Sequence, residues 1–534
     1  MNQVKSQKSK VKNCISKTQS TTYEVQRTGN KEQTANSFLL VLLIFVLFQI
    51  TACAQPKQLT ILHTNDIHTN FLPHEAAWVR SDPKPWVGGM RELQFAIDSM
   101  RGTRSNVLLL DAGDDMTGNP ISEIEYKNAY GGGLIEMMNY LGYDVWTPGN
   151  HDLDISQENL KNLIAIANHP AVNANVVDGS GKSGFGTPPF LILEKNGIKV
   201  GIIGLLTDDL FHVTNTNNLK GLKLLPVNEV TQKIIDSIDS QTDIIIALTH
   251  KGVDEDSLLA IGTKGLDIIV GGHSHTRLRA PKNINGVIIV QAGSNCENLG
   301  VLDIEVENDK VTSFKGELVQ LWAHQNLPAT ELSTKMDEFK ATIDKEYGEV
   351  LATHTEDWKR SSNEETAIGW FVADALRLGG NADVGVTNSS GIRKDLLKGN
   401  VTKNDLFEVG PFRNYVCTFP LSGKEVKKLA QAYAEGLEKK NSRLQYAGFE
   451  CMYHVHDSVV SIQKVLVNGK ELDESKTYTI ATTDYFLNQA EHYLEFTPPE
   501  TNCTTVTMFN AMVKKLKTEK ELKAPAKQFT KAEE

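Results

Sequence analysis

The sequence contains little cysteine, with 6 residues of this type among 534. Two of them, Cys14 and Cys53, fall in an N-terminal segment that resembles a leader, and the others are Cys296, Cys417, Cys451 and Cys503. Four cysteines allow three pairings but require none. Because a chain of this length can bury a large core without covalent cross-links, we expect buried thiols rather than disulfides.

The sequence also lacks an excess of basic residues, since its net charge is -11 at pH 7. Such a chain is poorly suited to nonspecific binding of nucleic acid through a basic face. We therefore expect no polymeric nucleic acid among its partners. A small anionic ligand stays compatible with this charge, because bound metal ions dominate the local field at a site.

A hydrophobic run long enough to cross a membrane comfortably is missing as well. The most apolar stretch, residues 38–50, is shorter than the roughly 20 residues that a membrane helix needs. It follows a polar, Lys-rich segment, which is typical of a signal peptide. The small residues before Cys53 resemble a bacterial lipoprotein box, in which the leader is removed before the cysteine and the cysteine is lipidated.

These features predict a signal peptide over residues 1–52 and export to the bacterial periplasm or cell surface. The predicted membrane contact is a lipid at Cys53 alone, so that the protein would be anchored to the membrane without spanning it. The alternative is an uncleaved N-terminal anchor.

The length exceeds what one hydrophobic core can organise, so we expect two folded domains. Apolar residues at helical spacing between them predict a linker helix: Leu332, Met336, Phe339 and Ile343. The Lys- and Glu-rich C-terminus predicts a solvated helix or disorder. In chain order the predicted parts are a tether, an α/β domain, the linker helix, a smaller α/β domain and a charged tail, at residues 53–58, 59–325, 326–349, 350–515 and 516–534.

Five strand-like apolar runs end in side chains that can bind a metal ion. The first ends in Asp66 and His68, and a spacing of two on an extended backbone can bring them to one point. The other four ends carry the remaining candidates: Asp114, Asn150, His250, and His273 with His275. In open α/β sheets, sites form beyond the carboxyl ends of the strands, where neighbouring loops meet. The sequence therefore predicts one shared metal-binding crevice.

These blocks, in this order, resemble the calcineurin-like metallophosphoesterases, and within them the two-domain 5'-nucleotidase family. The resemblance begins at about Leu59, continues through several C-terminal blocks and covers most of the chain. It implies an α/β fold class. The expected architecture is a four-layer αββα metallophosphoesterase sandwich plus a smaller α/β C-terminal substrate-binding domain.

The resemblance also implies two divalent metal ions, one held by Asp66, His68 and His275, and the other by Asn150, His250 and His273. Asp114, in the block Gly-Asp-x-x-x-Gly, would bridge the two ions. Oxygen ligands mixed with imidazoles suit Mn, Zn, Co or Fe better than Ca. In many members of the family, Gln stands at the position of His275.

His151 and Asp154 match the family pattern Gly-Asn-His-x-x-Asp. His151 follows the ligand Asn150 without needing to bind a metal itself, and Asp154 can hold its ring and keep it protonated. The resemblance makes this pair the catalytic partner of the transition state and of the leaving group. The nucleophile would be a hydroxide, formed from water by the metal ions, that attacks the phosphoryl group.

C-terminal blocks predict the contacts to substrate. Asn388 and Arg393 lie in a block close to the family's Asn-x-Gly-Gly-Ile-Arg, and the planar fork of Arg393 suits a phosphate or carboxylate. Phe412 and Tyr485 match two aromatic positions that enclose a nucleobase in the family.

The leading hypothesis is an exported dimetal 5'-nucleotidase that converts nucleoside 5'-monophosphates to nucleoside and phosphate. Two departures from the family leave other substrates open: Glu364 stands where an Arg is usual, and residues 489–493 replace Gly-Gly-Asp-Gly-Tyr. The alternatives keep the chemistry but act on 2',3'-cyclic nucleotides, nucleotide sugars or another phospho- or sulfur ester. A further alternative is a surface protein that binds nucleotide without turnover.

Overall fold

The computed structural model describes residues 56–532 except residues 442, 499, 520 and 521. The predicted signal peptide and the predicted lipidation site, Cys53, lie outside the described residues. From Lys57 onward the chain forms one compact unit, so the domain boundaries given above remain predictions. No helix in the described part of the chain is both long and apolar enough to cross a membrane.

The N-terminal half of this unit is built on two sheets. The first has five strands, in the spatial order Val311–Gln320, Asn298–Val306, Lys57–Thr64, Val107–Asp111 and Val145–Trp146. The last three of these strands are parallel, and the first two form an antiparallel hairpin. Because parallel strands end at the same edge of a sheet, the loops after Thr64, Asp111 and Trp146 meet there.

The second sheet has six strands, in the order Lys282–Ile284, Val287–Val290, Ile268–Gly271, Ile244–His250, Ile198–Leu206 and Phe190–Lys195. The four central strands are parallel, and each edge strand is antiparallel to its neighbour. The central strands are near-continuous runs of Val, Ile and Leu, as expected of strands that are covered on both faces.

Aliphatic side chains from both sheets form the cluster that packs them face to face, among them Leu59, Leu110, Val200 and Ile246. Three helices cover the outer face of the first sheet: Met90–Thr103, Gly132–Asn139 and Glu331–Tyr347. Two helices cover the outer face of the second: Val227–Ile238 and Val253–Gly262. These four layers are the predicted αββα sandwich. The apolar stripe predicted for a linker helix lies on Glu331–Tyr347 and is buried against the first sheet's helices.

The C-terminal half is a second α/β structure. Its main sheet has the order Leu444–Ala447, Val384–Asn388, Thr477–Thr483, Tyr415–Ser422 and Asn502–Thr507. One face packs against the helices Ala367–Gly379 and Met508–Glu519. The other face packs in one cluster with the helix Gly423–Glu438 and with a four-stranded sheet of Lys470–Glu471, Val459–Val467, Phe449–His456 and Phe529–Lys531.

Short elements complete the described chain. The paired strands are Val176–Asp178 with Leu222–Leu224, His74–Glu75 with Trp86–Val87, Glu125–Tyr126 with Ala129–Tyr130, and Val350–His354 with Gly399–Thr402. The short α-helices are Gln157–Ile166, Leu210–Val213, Lys403–Val409, Asp484–Asn488 and Ala490–Leu494. The 3-10 helices are Pro120–Glu123, His151–Leu153, Thr216–Leu219, Asp239–Gln241 and Ser389–Gly391.

The expectation of buried thiols is wrong for one pair, because Cys417 and Cys503 form a disulfide. The two cysteines face each other in register on neighbouring strands of the main C-terminal sheet. They are 86 residues apart in sequence, and only the order of the strands brings them side by side. Cys296 and Cys451 are buried free thiols, as expected.

The charged C-terminus begins in the helix Met508–Glu519, but its end differs from the prediction of a solvated helix or disorder. Phe529–Lys531 form a strand that pairs in parallel with Phe449–His456. Phe529 explains the difference, because its buried ring packs against Tyr433 and Phe449. A single aromatic residue thus anchors a run whose composition indicates exposure to solvent.

Packing between helix and sheet in the C-terminal half leads to a stability prediction. A Cβ added to Gly385 would stand 1.9 Å from the carbonyl oxygen of Ala373 on the helix Ala367–Gly379. We expect Gly385→Ala to lower the free energy of unfolding by about 1 to 3 kcal/mol, because the helix must move away from the sheet. The control is Gly179→Ala, where nothing lies within 4 Å of the added Cβ. Denaturant unfolding that gives the two variants equal stability would contradict this packing.

Candidate active site

The candidate metal ligands lie at the ends of strands or in the tight loops that follow them. The strand Lys57–Thr64 ends before Asp66 and His68, whose backbones are left-handed with φ of 52° and 49°. Asp114, His273 and His275 share this conformation, with φ of 59°, 77° and 54°. Left-handed backbone is uncommon outside glycine, and it concentrates at functional sites. Asp66 and His68 do converge, but a turn brings them together, and the extended backbone expected from the sequence is wrong.

Asp66, His68 and His275 form one cluster of ligand atoms. Nε2 of His275 lies 3.2 Å from Oδ1 of Asp66 and 3.1 Å from Nε2 of His68. The three ligand atoms all lie within 4.8 Å of one another. A single metal ion can therefore contact all three side chains.

Asp114, His250 and His273 form a second cluster, whose ligand atoms also lie within 4.8 Å of one another. Nε2 of His250 is 3.0 Å from Oδ2 of Asp114. Asn150 extends this cluster, because its Oδ1 lies 2.9 Å from Nδ1 of His273. The four side chains stand at the ends of four different strands, two in each sheet, so the packing of the two sheets brings them together.

Asp114 belongs to the second cluster and also faces the first. Its Oδ2 atom, which contacts His250, is also 3.9 Å from Nε2 of His68 in the first cluster. A carboxylate in this position can be shared by two metal ions, as in two-metal sites that act on phosphate esters. The geometry is compatible with the predicted bridging role.

The orientation of the imidazoles fits divalent metal ions. Nδ1 of His68 lies 3.0 Å from the carbonyl oxygen of Thr117, and Nδ1 of His250 lies 2.7 Å from that of Ala112. In each ring, Nδ1 donates to the backbone, so Nε2 is the nitrogen that faces the cluster and can bind a metal ion once it is deprotonated.

The carboxylates fit metal ions as well. Burial by itself would raise the pKa of both Asp66 and Asp114, but neighbouring imidazoles hold both pKa values below the ordinary range, with His275 acting on Asp66 and His250 on Asp114. Both side chains are therefore anionic, which is the form that binds metal. Asn65 fixes Asp66 by donating from Nδ2 to its Oδ2 at 2.6 Å.

Asp152 is a site residue that the sequence patterns miss. Its carboxylate accepts hydrogen bonds from four backbone amides, those of Asp114, Asp115, Met116 and Gly149. These bonds hold the loop that presents Asp114 to both clusters. In the sequence, Asp152 is only an acidic residue that follows Asn-His. Nothing in the pattern distinguishes it from a solvent-exposed loop residue.

His151 lies beside both clusters without belonging to either. Its ring centroid is 5.3 Å from that of His68, and its Nδ1 is 2.7 Å from Oδ2 of Asp154. Burial lowers the pKa of His151, but the carboxylates of Asp154 and Asp114 outweigh burial, so the pKa is raised above its ordinary value. The Asp154 carboxylate also accepts a hydrogen bond from Thr117 at 2.7 Å, which fixes its direction.

A cavity of about 730 Å³, here called the substrate cavity, extends from His151 and Asp154 into the C-terminal half. Its walls include the four predicted substrate contacts: Asn388, Arg393, Phe412 and Tyr485. The Phe412 ring lies 5.7 Å from the His151 ring, and the Arg393 guanidinium lies 6.0 Å from the Phe412 ring. The structure thus brings the C-terminal candidates to the edge of the metal clusters.

The loop after the helix Leu210–Val213 forms a wall of the substrate cavity that the sequence patterns do not predict. Asn215, Asn217 and Asn218 line this wall. Nδ2 of Asn215 donates to Oδ2 of Asp484 at 3.0 Å, and the Tyr485 hydroxyl donates to the carbonyl oxygen of His212 at 3.1 Å. These bonds join the two halves across the cavity, and no motif in the loop indicates them.

Comparison with known proteins separates the two halves in the same way. Residues 59–277 match the family model for calcineurin-like phosphoesterases, and residues 347–497 match the model for the 5'-nucleotidase C-terminal domain. A 5'-nucleotidase of Vibrio cholerae is 28% identical over 499 residues, an alignment that covers 82% of this chain and 86% of that protein.

Two further similarities agree with these matches. The trifunctional nucleotide phosphoesterase protein YfkN of Bacillus subtilis is 26% identical over 494 residues, which is 82% of this chain but 32% of YfkN, so this chain corresponds to about a third of that longer protein. The crystal structure of a 5'-nucleotidase precursor from Thermus thermophilus superposes with a TM-score of 0.75 at 25% identity, covering 90% of this chain and 100% of that one.

The sandwich fold and its paired Asp–His clusters define a calcineurin-like phosphoesterase, a class of metal-dependent phosphoric ester hydrolases that use a dimetal centre. The C-terminal match narrows this class. The chain belongs to the two-domain 5'-nucleotidase family, and the family predicted from the sequence is confirmed.

The two clusters lead to a prediction about thermal stability. A ligand that binds only the folded protein stabilises it, by about 2.7 kcal/mol at 100 times its Kd, so we expect Mn²⁺ to raise the Tm of chelator-treated protein by a few degrees. His273→Ala should lose most of this rise because it removes a ligand from one cluster. The control is His456→Ala, since the His456 side chain is 84% exposed. A Tm that does not respond to Mn²⁺ in the unaltered protein would contradict metal binding at the clusters.

Proposed function

We propose that this chain is an exported dimetal phosphohydrolase that converts nucleoside 5'-monophosphates to nucleoside and phosphate. The observation that carries this proposal is the substrate cavity, which adjoins the clusters at His151 and is lined by Arg393, Phe412 and Tyr485. It joins groups suited to phosphoryl chemistry to groups suited to holding a nucleoside. The family of the chain, which includes 5'-nucleotidases, supports the same substrate class.

In this proposal, Asp66, His68 and His275 would hold one metal ion, Asn150, His250 and His273 would hold the other, and Asp114 would be shared by both. When bound, two such ions neutralise charge on the phosphoryl group and activate water at neutral pH. Manganese, zinc, cobalt and iron all suit this mixture of oxygen and imidazole ligands.

The protein's own groups complete the chemistry. His151, kept protonated by Asp154, donates a hydrogen bond to the phosphoryl group and a proton to the leaving oxygen. Arg393 offers its guanidinium to the phosphate. Phe412 and Tyr485 stack on the base and Asn388 adds a polar contact, so the nucleoside is held with its 5' oxygen toward His151.

One observation favours a different leaving group as the second candidate. Of the residues that replace the family's Gly-Gly-Asp-Gly-Tyr block, Gln489 donates from Nε2 to the carbonyl oxygen of Phe211 at 3.0 Å and so joins the two halves. The walls of the substrate cavity include none of residues 489–493. Because the residues that replace the family's block do not line the substrate cavity, the alternative substrate class is 2',3'-cyclic nucleotides, nucleotide sugars or another phospho- or sulfur ester.

We further propose export to the bacterial periplasm or cell surface, with a lipid at Cys53 as the membrane attachment. The apolar leader that ends before Cys53 supports this location. The Cys417–Cys503 disulfide supports it as well, because disulfides persist in oxidising compartments outside the cytosol.

Phosphate release from a nucleotide panel tests the proposed reaction. Protein loaded with Mn²⁺ should release phosphate from AMP, GMP and UMP. His151→Ala should lower kcat by about 10²- to 10⁴-fold, because the proton donor is lost, while the metal content of the protein stays the same. Hydrolysis of an artificial phosphodiester with all three nucleotides left intact would exclude the 5'-nucleotidase and favour the second candidate.

The aromatic residues of the substrate cavity can be tested separately from the chemistry. Loss of base stacking costs about 1 to 3 kcal/mol, so Phe412→Ala and Tyr485→Ala should each raise KM for AMP by about 5- to 150-fold. The KM for p-nitrophenyl phosphate, which has no base, provides the control and should change far less. Equal effects on both substrates would show that the two rings do not select the base.

A further inference from the structure

A second cavity lies in the C-terminal half, away from the metal clusters. Its volume is about 530 Å³, within the usual range of sites for small molecules. The helix Gly423–Glu438, the strand Leu444–Ala447 and residues 493–496 surround it. None of the groups that the proposed reaction uses lines this cavity.

Aromatic rings form much of the wall of the second cavity. Tyr433 and Tyr446 are buried, and their ring centroids are 4.7 Å apart in an edge-to-face arrangement. Tyr493 and Phe496 are half-buried and line the same cavity. A wall of aromatic faces and edges suits a flat ring, which can stack or pack against the edges of its neighbours.

Charges around the second cavity balance one another. Lys428 and Arg443 contribute two positive charges, and Glu425 and Glu495 contribute two negative ones. A phosphate group would find no net attraction here, in contrast to the substrate cavity with Arg393 and the predicted metal ions. The balanced rim therefore favours an uncharged ligand with polar edges, which these four side chains and the Asn441 amide can hydrogen-bond.

The second cavity is linked to the substrate cavity through contacts of the segment that carries Tyr485. Tyr493, in the wall of the second cavity, stacks on Phe486 with ring centroids 4.9 Å apart and an interplanar angle of 13°. Phe486 follows Tyr485, which lines the substrate cavity. A ligand that moves the Tyr493 ring therefore acts on the neighbour of a predicted base-stacking residue.

A second connection runs through the sheet. The backbone amide of Ser389 donates to the carbonyl oxygen of Arg443 at 2.8 Å, and Leu444 is the register partner of Asn388. Arg443 and Leu444 line the second cavity, whereas Asn388 lines the substrate cavity. The two cavities are thus linked both through a strand pair and through two successive short helices, Asp484–Asn488 and Ala490–Leu494.

We propose that the second cavity is a binding site for an uncharged nucleoside, and that its occupation changes the affinity of the substrate cavity. This inference rests on the proposed function, because the nucleoside is the product of that reaction. The coupling is reciprocal: a nucleoside that changes substrate affinity is itself bound with an affinity that substrate changes by the same factor.

A cavity-filling variant separates the second cavity from the substrate cavity. Ala432 is exposed on the helix Gly423–Glu438, and it lines the second cavity. Ala432→Trp should therefore fill the cavity from the surface without disturbing the core. Lys424→Trp, at an exposed position of the same helix outside the cavity wall, is the matched control.

Calorimetric titration of the Mn²⁺-loaded full chain with adenosine counts the sites. We expect two adenosine molecules per chain for the unaltered protein and for Lys424→Trp, and one for Ala432→Trp. Phe412→Ala should weaken the other site, in the substrate cavity, and leave the site that Ala432→Trp removes. Two sites in Ala432→Trp, or a single site in the unaltered protein, would overturn the inference.

Steady-state kinetics measure the coupling. The apparent KM for AMP rises linearly with adenosine concentration when adenosine competes only in the substrate cavity. We expect a curved plot for the unaltered protein and for Lys424→Trp, and a straight line for Ala432→Trp. A straight line for the unaltered protein would overturn the coupling.

The two proposals fail in different ways. If no nucleotide is hydrolysed, the proposed function fails, and calorimetry still decides whether adenosine occupies the second cavity. If the unaltered protein, Ala432→Trp and Lys424→Trp all hydrolyse AMP and Ala432→Trp binds adenosine as the unaltered protein does, only the second site is excluded.

Discussion

Buried negative charge at Asp66 and Asp114 is the constraint on which the rest of the structure depends. A carboxylate that is removed from water needs compensating charge and hydrogen bonds, and imidazoles from several loops surround these two. The carboxyl ends of strands from two packed sheets supply these groups at one place. The left-handed turns at Asp66, His68, Asp114, His273 and His275 then direct each side chain to the same point, and the sandwich core holds those turns in place.

In the proposed reaction the N-terminal half holds the metal ions and the C-terminal half contacts the nucleoside, and direct bonds join the two halves. Nδ2 of Asn119 donates to Glu408 at 3.1 Å, Nε of Arg413 donates to Glu123 at 2.5 Å, and Nδ2 of Asn215 donates to Asp484. Arg413 directly follows Phe412, so its ion pair helps to hold that ring near His151. The two clusters of metal-ligating side chains and the aromatic residues can therefore contact the same bound molecule only while these bonds hold the two halves together.

Much of the site could be predicted from the sequence, because each ligand follows an apolar run. Such a run is recognisable as a strand, either from alternation of apolar and polar residues or from a continuous stretch of apolar residues. Asp66, Asn150 and His250 are of this kind. Other features depend on contacts between distant segments. The Cys417–Cys503 disulfide requires the order of strands in a sheet, the strand at Phe529 requires a pocket formed by Tyr433 and Phe449, and the role of Asp152 requires the loop that it holds. None of these leaves a local pattern.

The sequence by itself determined the α/β class, the strand ends that bear Asp, Asn and His, and the pairing of His151 with Asp154, since these follow from hydrophobic periodicity and short spacings along one backbone. Tertiary structure alone decided the distances between the ligand atoms of each cluster, which loop closes the substrate cavity at Asn215, and where a second cavity lies. The physical reason is that periodicity records how a residue meets its neighbours in the chain, whereas a cluster or a cavity depends on which distant surfaces pack together.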